Sequence, residues 1–218
     1  MRITITPGQI ADFLSLAPLH YLAARPATFD AILCARHHDQ CAGVLVVSRP
    51  TLCAWWRPRA WGRQMPRERV AAARWLNQNV RTISRVIVAP AFRGLSVGSG
   101  LVRAYLARPR TRYTEAPAAM GVWSPFFERA GMRRLTAPPD PHDARLAADL
   151  RTLGIAPSRL VRAEFAERVL RRPDARRVLE RRCRGRRWPT WSTSDLAVLG
   201  ATIARRTTTR RIAYVAGR

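Results

Sequence analysis

The chain has 218 residues, and 47% of them are hydrophobic, so it is long enough for one domain with a core plus an extension. Its 39 basic residues, all arginine, outnumber 14 acidic ones and give a formal net charge of +25. This excess favours polyanions as partners, above all nucleic acid. No apolar run can span a bilayer, and the N-terminus lacks the apolar core of a signal peptide, which predicts a cytoplasmic protein without a membrane partner.

The first third of the chain indicates a strand, a helical region and a hairpin. Residues 2–6 alternate like a strand, and residues 7–24 carry apolar side chains at helical spacing. A strand over Thr28–Arg36 then turns at His37–Gln40 into a strand over Ala42–Ser48. The sequence therefore predicts a sheet that begins with an antiparallel pair.

Four cysteines are present: Cys34, Cys41, Cys53 and Cys183. None has CxxC spacing, so reduced thiols are the default in the cytosol. The run from Cys34 through two histidines to Cys41 allows zinc binding as an alternative. The adjacent histidines are followed by Asp39 and Gln40, which favours a hairpin turn, and no metal is predicted.

Tryptophans alternate with arginines in the long connection between residues 49 and 66. Such a segment can stack on exposed bases and grip their phosphates. It can equally form a hydrophobic lid over the core, and the sequence leaves both interpretations open. The residues concerned are Trp55, Trp56, Trp61, Arg57, Arg59 and Arg63.

The central stretch, residues 82–106, reads as a strand, an anion-binding loop and a helix. A β-branched run ends at Pro90, and an Arg- and Gly-rich turn over Arg93–Gly100 precedes helical spacing from Leu101. Glycines let the backbone approach a ligand closely, and N–H groups at a helix start suit phosphate. Arg93 would add a charged fork beside them.

Residues 87–98, IVAPAFRGLSVG, resemble the acetyl-CoA signature of the GNAT acyltransferase superfamily, in which a hydrophobic strand and a proline precede Arg/Gln-x-x-Gly-x-Gly/Ala. Arg93 and Gly98 occupy the outer positions, and Ser96 replaces the middle glycine. Downstream, a strand over Glu115–Met120 and a helix and turn over Ser124–Met132 resemble the family's late segment.

This resemblance implies an α/β (α+β) fold with a mixed central sheet flanked by helices, acetyl-CoA as the cofactor, and a thioester held where two central strands splay apart. It also implies that backbone N–H groups on the central strand hold the pantetheine arm and that the loop holds the phosphates. The implied cofactor-binding residues are Val86, Val88, Arg93, Gly94, Ser96, Val97, Gly98 and Ser99.

Acyl transfer to an amine needs a base for the acceptor and an acid for the departing thiolate. The candidate bases are Glu115 and His20, although Glu115 can also be a surface carboxylate paired with an arginine. The tyrosine that usually serves as the acid is replaced by Phe127, four residues before Gly131, which puts direct acetyl transfer by the common mechanism in question. The candidates to replace it are Tyr21, Ser84 and Ser124.

Short segments also resemble the Mom-like branch of this superfamily, phage and prophage proteins that turn the exocyclic amine of adenine in DNA into a carbamoylmethyl amine. They are His20-Tyr21 followed by Pro26, Gly43–Pro50 and Thr82–Arg85. The resemblance predicts nucleic acid base modification, with DNA favoured over RNA as the partner. The alternatives are acetylation of a protein or small amine, and a noncatalytic basic nucleic-acid-binding module.

A Pro-Pro-Asp-Pro stretch after residue 137 divides the chain into a GNAT-like domain, 1–138, and an extension, 139–218. Residues 141–218 hold 19 arginines against 7 acidic residues, which suits a grip on a phosphate backbone or an interaction surface. The extension is predicted to be mostly helical, with helices over 142–153, 158–171, 173–183 and 196–206, a basic aromatic turn over 184–191, a capping run over 192–195 and an edge strand over 210–215.

Overall fold

The computed structural model describes residues 2–20, 25–118, 121, 123–183 and 195–217. Its contacts divide the chain into two compact units, Met1–Ala137 with Arg211–Arg218, and Pro138–Arg210. The chain therefore returns to the first unit at Arg211, whereas the division made from the sequence assigns everything after residue 138 to the extension.

The first unit is built on one mixed seven-stranded sheet. Its strands are β1 (Thr4–Pro7), β2 (Ala31–His37), β3 (Gln40–Ser48), β4 (Val80–Val88), β5 (Tyr113–Pro117), β6 (Arg133–Thr136) and β7 (Ile212–Gly217). They lie in the order β1-β2-β3-β4-β5-β7-β6, and all neighbours are antiparallel except the parallel pair β4 and β5.

Five helices accompany this sheet: α1 (Ile10–Leu16), α2 (Arg57–Trp61), α3 (Arg69–Asn79), α4 (Val97–Ala107) and α5 (Phe126–Arg129). Helix α4 connects the parallel strands β4 and β5, a connection that parallel pairing requires. The mixed sheet flanked by helices expected from the resemblance is confirmed.

The strand, helix and hairpin order at the front of the chain is also confirmed, but the limits differ from the prediction. Strand β1 covers Thr4–Pro7 rather than 2–6, β2 begins at Ala31 rather than Thr28, and β3 begins at Gln40 rather than Ala42, so the turn of the hairpin is His38 and Asp39 alone. The helical region predicted over 7–24 is α1 followed by a 3-10 turn at Ala17–Leu19, and residues 21–24 lie outside the described residues.

Strand β4 begins at Val80, two residues earlier than predicted, because Val80 and Arg81 pair with Tyr113 and Thr114. The sequence does not indicate this start, since Arg81 interrupts the apolar run and the pairing residues are far apart along the chain. Strand β5 likewise begins at Tyr113 and ends at Pro117, and the N–H of Ala118 still donates to the carbonyl of Ile212 on β7 at 3.0 Å. The last two residues of the predicted strand, 119 and 120, lie outside the described residues.

The strand near the C-terminus lies inside the sheet rather than at its edge. Strand β7 pairs with β5 on one side and with β6 on the other. Its middle residues, Ala213 and Tyr214, are fully buried. The sequence pattern of a short apolar strand is the same at the edge and in the interior of a sheet, so the position of β7 follows only from its pairing with β5 and β6.

The second unit is helical and has its own core. Its helices are α6 (Pro141–Thr152), α7 (Ala163–Leu170), α8 (Pro173–Cys183) and α9 (Leu196–Thr208). The helix predicted over 158–171 is divided, because Arg162 takes an extended conformation between a 3-10 turn at Pro157–Val161 and α7. The predicted turn over 184–191 and residues 192–194 lie outside the described residues, while Asp195 caps α9. None of the described helices combines the length and apolarity needed to cross a bilayer.

Candidate active site

A cleft of about 610 Å³ opens where strands β4 and β5 separate. The two strands pair only over Val80–Thr82 and Tyr113–Glu115. Beyond Thr82, none of the described strands pairs with the β5 side of β4. The short parallel ladder therefore leaves a stretch of β4 backbone available to a ligand.

The backbone N–H groups of Val86 and Val88 face this opening. The N–H of Ala89 donates to the carbonyl of Ala42 on β3 at 3.0 Å. Because successive strand residues direct their N–H groups to opposite sides, Ala89 and Ile87 face β3, whereas Val86 and Val88 face away from it. Both valines line the cleft, as the resemblance predicts for residues that hold an extended amide-containing ligand.

A β-bulge places Ser84 on the floor of the cleft. Val46 pairs with Arg85 and Val47 pairs with Ile83, so no residue of β3 lies opposite Ser84 in the ladder. Its Oγ lies 2.7 Å from Oγ of Ser48, which in turn lies 2.6 Å from the carbonyl of Thr28. Because Ser48 has one proton and donates it to that carbonyl, Ser84 donates to Ser48 and presents its lone pairs as acceptors.

The predicted anion loop lies at one end of the cleft, and its helix begins earlier than expected. Helix α4 starts at Val97 rather than Leu101, so Gly98 and Ser99 belong to its first turn. N–H groups of a first helical turn have no intrahelical acceptors, and the helix dipole adds positive potential there. The loop residues that line the cleft are Arg93, Gly94, Ser96, Val97, Gly98 and Ser99.

Two loop residues adopt left-handed backbone conformations, Gly94 with φ 83° and Ser96 with φ 59°. Ser96 is the position where the resembled signature has glycine, so a serine here carries a backbone strain of roughly 1 kcal/mol that glycine would avoid. The carbonyl of Ser96 still accepts the N–H of Gly100 at 2.9 Å. The substitution therefore preserves the shape of the turn.

Arginines supply all the charged side chains among the described residues that line the cleft, apart from His20 when it is protonated. They are Arg85 on β4, Arg93 in the loop and Arg129 on α5. Arg93 is exposed, and its Nε donates to the carbonyl of Val88 at 3.3 Å, which holds the loop to the end of β4. This lining suits an anionic ligand.

Two more of the predicted catalytic residues, His20 and Ser124, line the cleft. His20 follows a 3-10 turn at Ala17–Leu19 and is half-buried, and Ser124 lies before α5 and is exposed. Together with Ser84, they place an imidazole and two hydroxyls around the opening of the strands. Tyr21 lies outside the described residues.

Glu115 does not line the cleft. Its carboxylate is 1% exposed and accepts four hydrogen bonds: from Arg57 Nε and Nη2 at 2.9 and 2.7 Å, from Trp56 Nε1 at 2.7 Å and from Thr82 Oγ1 at 2.7 Å. A carboxylate that four donors surround and that is almost fully buried does not reach a substrate in the cleft. The sequence analysis allowed Glu115 to be a surface carboxylate paired with an arginine. The structure shows this pairing, but the pair is buried.

The hydrogen bonds from Trp56 and Arg57 to Glu115 hold the tryptophan-rich connection against the sheet. Trp56 and Trp61 are 9% and 5% exposed, and Arg57 is 1% exposed. Trp61 stacks near Tyr113 of β5 with 5.0 Å between the ring centroids. Of the two interpretations, the lid over the core is therefore confirmed for Trp56 and Trp61, which cannot stack on bases while buried.

Phe127 occupies the place where the resembled family has its acidic tyrosine, and it is buried at the cleft. Its ring centroid lies 5.1 Å from that of Tyr214 on β7. The Tyr214 hydroxyl lies 3.1 Å from Glu128 Oε1 and 3.2 Å from the carbonyl of Gly121. Burial, followed by the hydrogen bond to Glu128, raises the pKa of Tyr214 to about 12, so this phenol keeps its proton and serves packing.

The structure also adds lining residues that the sequence did not single out, chiefly Arg85, Phe126 and Arg129. Arg85 follows Ser84 within a quoted segment, and Arg129 lies within the late segment matched around Phe127. Both were therefore inside recognised stretches. What the sequence lacked was the direction in which their side chains point.

No protein-family model matches the sequence, and no curated protein matches it. Among solved structures, a protein described as histone acetyltransferase HPA2 and related acetyltransferase from Corynebacterium glutamicum shares 19% identity, covers 65% of this chain and 91% of its own, and superposes with a TM-score of 0.41. Drosophila melanogaster polyamine N-acetyltransferase shares 12% identity over 63% of this chain and 87% of its own, with a TM-score of 0.41. A mutant of agmatine N-acetyltransferase in its apo form shares 10% identity over 100% of both chains, with a TM-score of 0.46. At these identities and TM-scores, the likenesses carry no conclusion about what this chain binds or transfers.

Proposed function

We propose that this protein is a GNAT-type transferase that uses acetyl-CoA as donor and modifies an amine on a nucleic acid base. The observation that carries the proposal is the cleft itself, which combines an open β4 edge with a helix N-terminus and arginine side chains. Acetyl-CoA, when bound, supplies an acyl group activated as a thioester.

The residues of the cleft fit such a donor along its length. The first-turn N–H groups of α4 and the Arg93 guanidinium suit the phosphates. The outward N–H groups of Val86 and Val88 suit the amides of the pantetheine arm. Gly94 and Gly98 carry no side chain that would obstruct the approach, and a Cβ on Gly98 would come within 3.7 Å of Val88 Cγ2, inside the cleft.

At the reacting end, we assign His20 as the base that accepts the proton of the acceptor amine. It is the one imidazole among the described lining residues, and imidazole exchanges protons near neutral pH. Ser124 contributes a hydroxyl that can donate to the acyl oxygen, whereas Ser84 offers oxygen lone pairs that can accept from an N–H of the acceptor amine. Glu115 remains outside this set because its four donors occupy it.

The charge of the protein favours a nucleic acid over a cationic amine as acceptor. A protonated polyamine or a lysine-rich tail would meet a cleft with arginines and without a carboxylate among its described lining residues. A nucleic acid would instead be attracted by the net charge of +25. The resemblance to the Mom-like branch makes the exocyclic amine of adenine in DNA the first acceptor to examine, and transfer from acetyl-CoA would give its N-acetyl adduct and release CoA as the thiol.

The proposal is tested by mass spectrometry of nucleosides from DNA and tRNA of cells that express the protein. We expect a new base adduct with the wild type and none with Arg93→Ala, while Arg74→Ala, which removes an exposed arginine of α3, should retain it. Loss of a charge-assisted hydrogen bond of about 1.5–3 kcal/mol should weaken acetyl-CoA binding by roughly 10- to 150-fold in Arg93→Ala.

Binding measurements separate the alternatives. Duplex DNA affinity should fall steeply with salt and remain nearly unchanged in Arg93→Ala, because the loop serves the donor rather than the acceptor. If the protein bound acetyl-CoA but produced no base adduct, the result would favour a protein or a small amine as the acceptor. Failure to bind any acyl-CoA would leave a noncatalytic basic module.

A further inference from the structure

Two cysteines that the proposed chemistry does not use lie side by side in the first hairpin. Cys34 of β2 and Cys41 of β3 have their Sγ atoms 3.3 Å apart. A register shift between Ala35 and Arg36 brings Cys41 opposite Arg36, which aligns both thiols on one face. We propose that Cys34 and Cys41 form a reversible intramolecular disulfide when the protein meets a peroxide.

The surroundings of the two thiols differ, and this difference gives each sulfur a role. Cys34 is fully buried, and burial, followed by its hydrogen bond to Cys41, raises the pKa of its thiol to about 12. Cys41 is only half-buried, and either thiol can donate the hydrogen bond that joins the two sulfurs. Cys41 is therefore the sulfur that an oxidant reaches, and Cys34 is the one that resolves the product.

The chemistry balances with hydrogen peroxide as the oxidant. The Cys41 thiolate attacks one peroxide oxygen, the O–O bond breaks, and Cys41 becomes a sulfenic acid with release of hydroxide. The Cys34 sulfur then attacks the Cys41 sulfur, the S–O bond breaks, and the Cys34 proton leaves with that oxygen as water. In total, two thiols and one peroxide give one disulfide and two waters.

A metal ion is the competing use of this site, since Asp12 lies with the two cysteines as a possible third ligand. Asp12 is already engaged, because Arg36 Nη2 lies 2.5 Å from its Oδ1 and the N–H of Gln9 donates to its Oδ2 at 2.8 Å. A guanidinium beside the carboxylate also repels a cation. The contacts therefore favour the disulfide.

Tryptic mapping of the full chain can identify the bond. Trypsin cleaves after Arg36 but resists the Arg-Pro bonds at residues 25–26, 49–50 and 57–58, so Cys34 and Cys41 fall in separate peptides. Cys53 shares the peptide of Cys41, and the experiment therefore uses the Cys53→Ser variant, which removes an exposed thiol.

After treatment with stoichiometric hydrogen peroxide, we expect these two peptides joined in Cys53→Ser and released by dithiothreitol. Adding Cys34→Ser should abolish the link and leave a sulfenic acid on Cys41 that dimedone traps, whereas adding Cys41→Ser should leave Cys34 nearly unlabelled. Separate peptides after oxidation, links only between chains, or a zinc ion that both thiols hold and that blocks oxidation would each overturn the proposal.

Discussion

Replacing Glu115 with glutamine should destabilise the first unit by about 3–5 kcal/mol, because it leaves the Arg57 guanidinium buried without its counter-charge. Both side chains are 1% exposed, so water cannot replace the lost partner. Each carboxylate oxygen accepts one N–H of Arg57 and one further donor, from Thr82 or Trp56. Whichever way the glutamine amide turns, its N–H₂ group therefore faces an N–H of Arg57, and a hydrogen bond is lost together with the charge.

Urea unfolding followed by tryptophan fluorescence measures this effect, since Trp56 donates directly to the carboxylate. Arg63→Met, at an exposed position in the same connection, is the matched control and should change the free energy of unfolding by less than about 0.5 kcal/mol. The double variant Arg57→Met with Glu115→Gln should be more stable than the sum of its single variants implies, with a coupling of roughly 0.5–3 kcal/mol.

A Glu115→Gln protein that unfolds within about 1 kcal/mol of the wild type would refute this structural role. If that variant kept its stability and lost base modification, Glu115 would return as the catalytic base. The experiment therefore separates the two interpretations that the sequence leaves open for this residue.

Three further predictions concern the loop, the base and the second unit. Ser96→Gly should raise the free energy of unfolding by about 1 kcal/mol because it relieves a left-handed serine, and Gly94→Ala should lower it by about 1–2 kcal/mol by imposing similar strain, both measured by urea unfolding. His20→Gln should lower kcat by roughly 10²- to 10⁴-fold and leave the Kd of acetyl-CoA unchanged, so equal losses in both would contradict its role as base. Hydrogen bonds from Arg182 lower the pKa of Asp149 in the folded protein. The pair therefore stabilises the fold fully at pH values above the unfolded-state pKa of about 3.9, and this stabilisation disappears as the pH falls through the lower pKa of the folded state. Asp149→Asn should therefore cost under about 1 kcal/mol at pH ~6 and nearly nothing at low pH, as urea unfolding at each pH would show.

The anion loop could be located from the sequence because its parts are contiguous. A strand, a turn with Arg93 and a helix follow one another within a few residues, so local pattern places each near the cleft. Dependence on local composition also explains why the sequence predicted the start of α4 at Leu101 instead of Val97. Gly98 and Gly100 indicate a turn by composition, but both lie in α4, which begins at Val97.

The rest of the site depends on contacts between distant residues. From the sequence, Glu115 is a candidate base, but in the structure it is paired with Arg57, which lies 58 positions away in the chain. Strand β7 returns to the sheet only after the whole second unit, and its Tyr214 packs against Phe127. No short stretch of sequence contains such pairs, which is why the sequence located the glycine-containing loop beside the cleft but not the contacts around the candidate catalytic residues.

The distribution of charge argues that the donor is not this protein's only anionic partner. Arginines line the cleft at Arg85, Arg93 and Arg129, a small share of the 39 in the chain. The phosphates of one acetyl-CoA molecule carry only a few charges and, in the proposed binding mode, would engage only the loop end of the cleft. Like charges destabilise a compact fold, so a net charge of +25 costs stability unless a partner offsets it. A long polyanion offsets charge over a whole surface and gains affinity from every counterion released, which is the property expected of a nucleic acid acceptor.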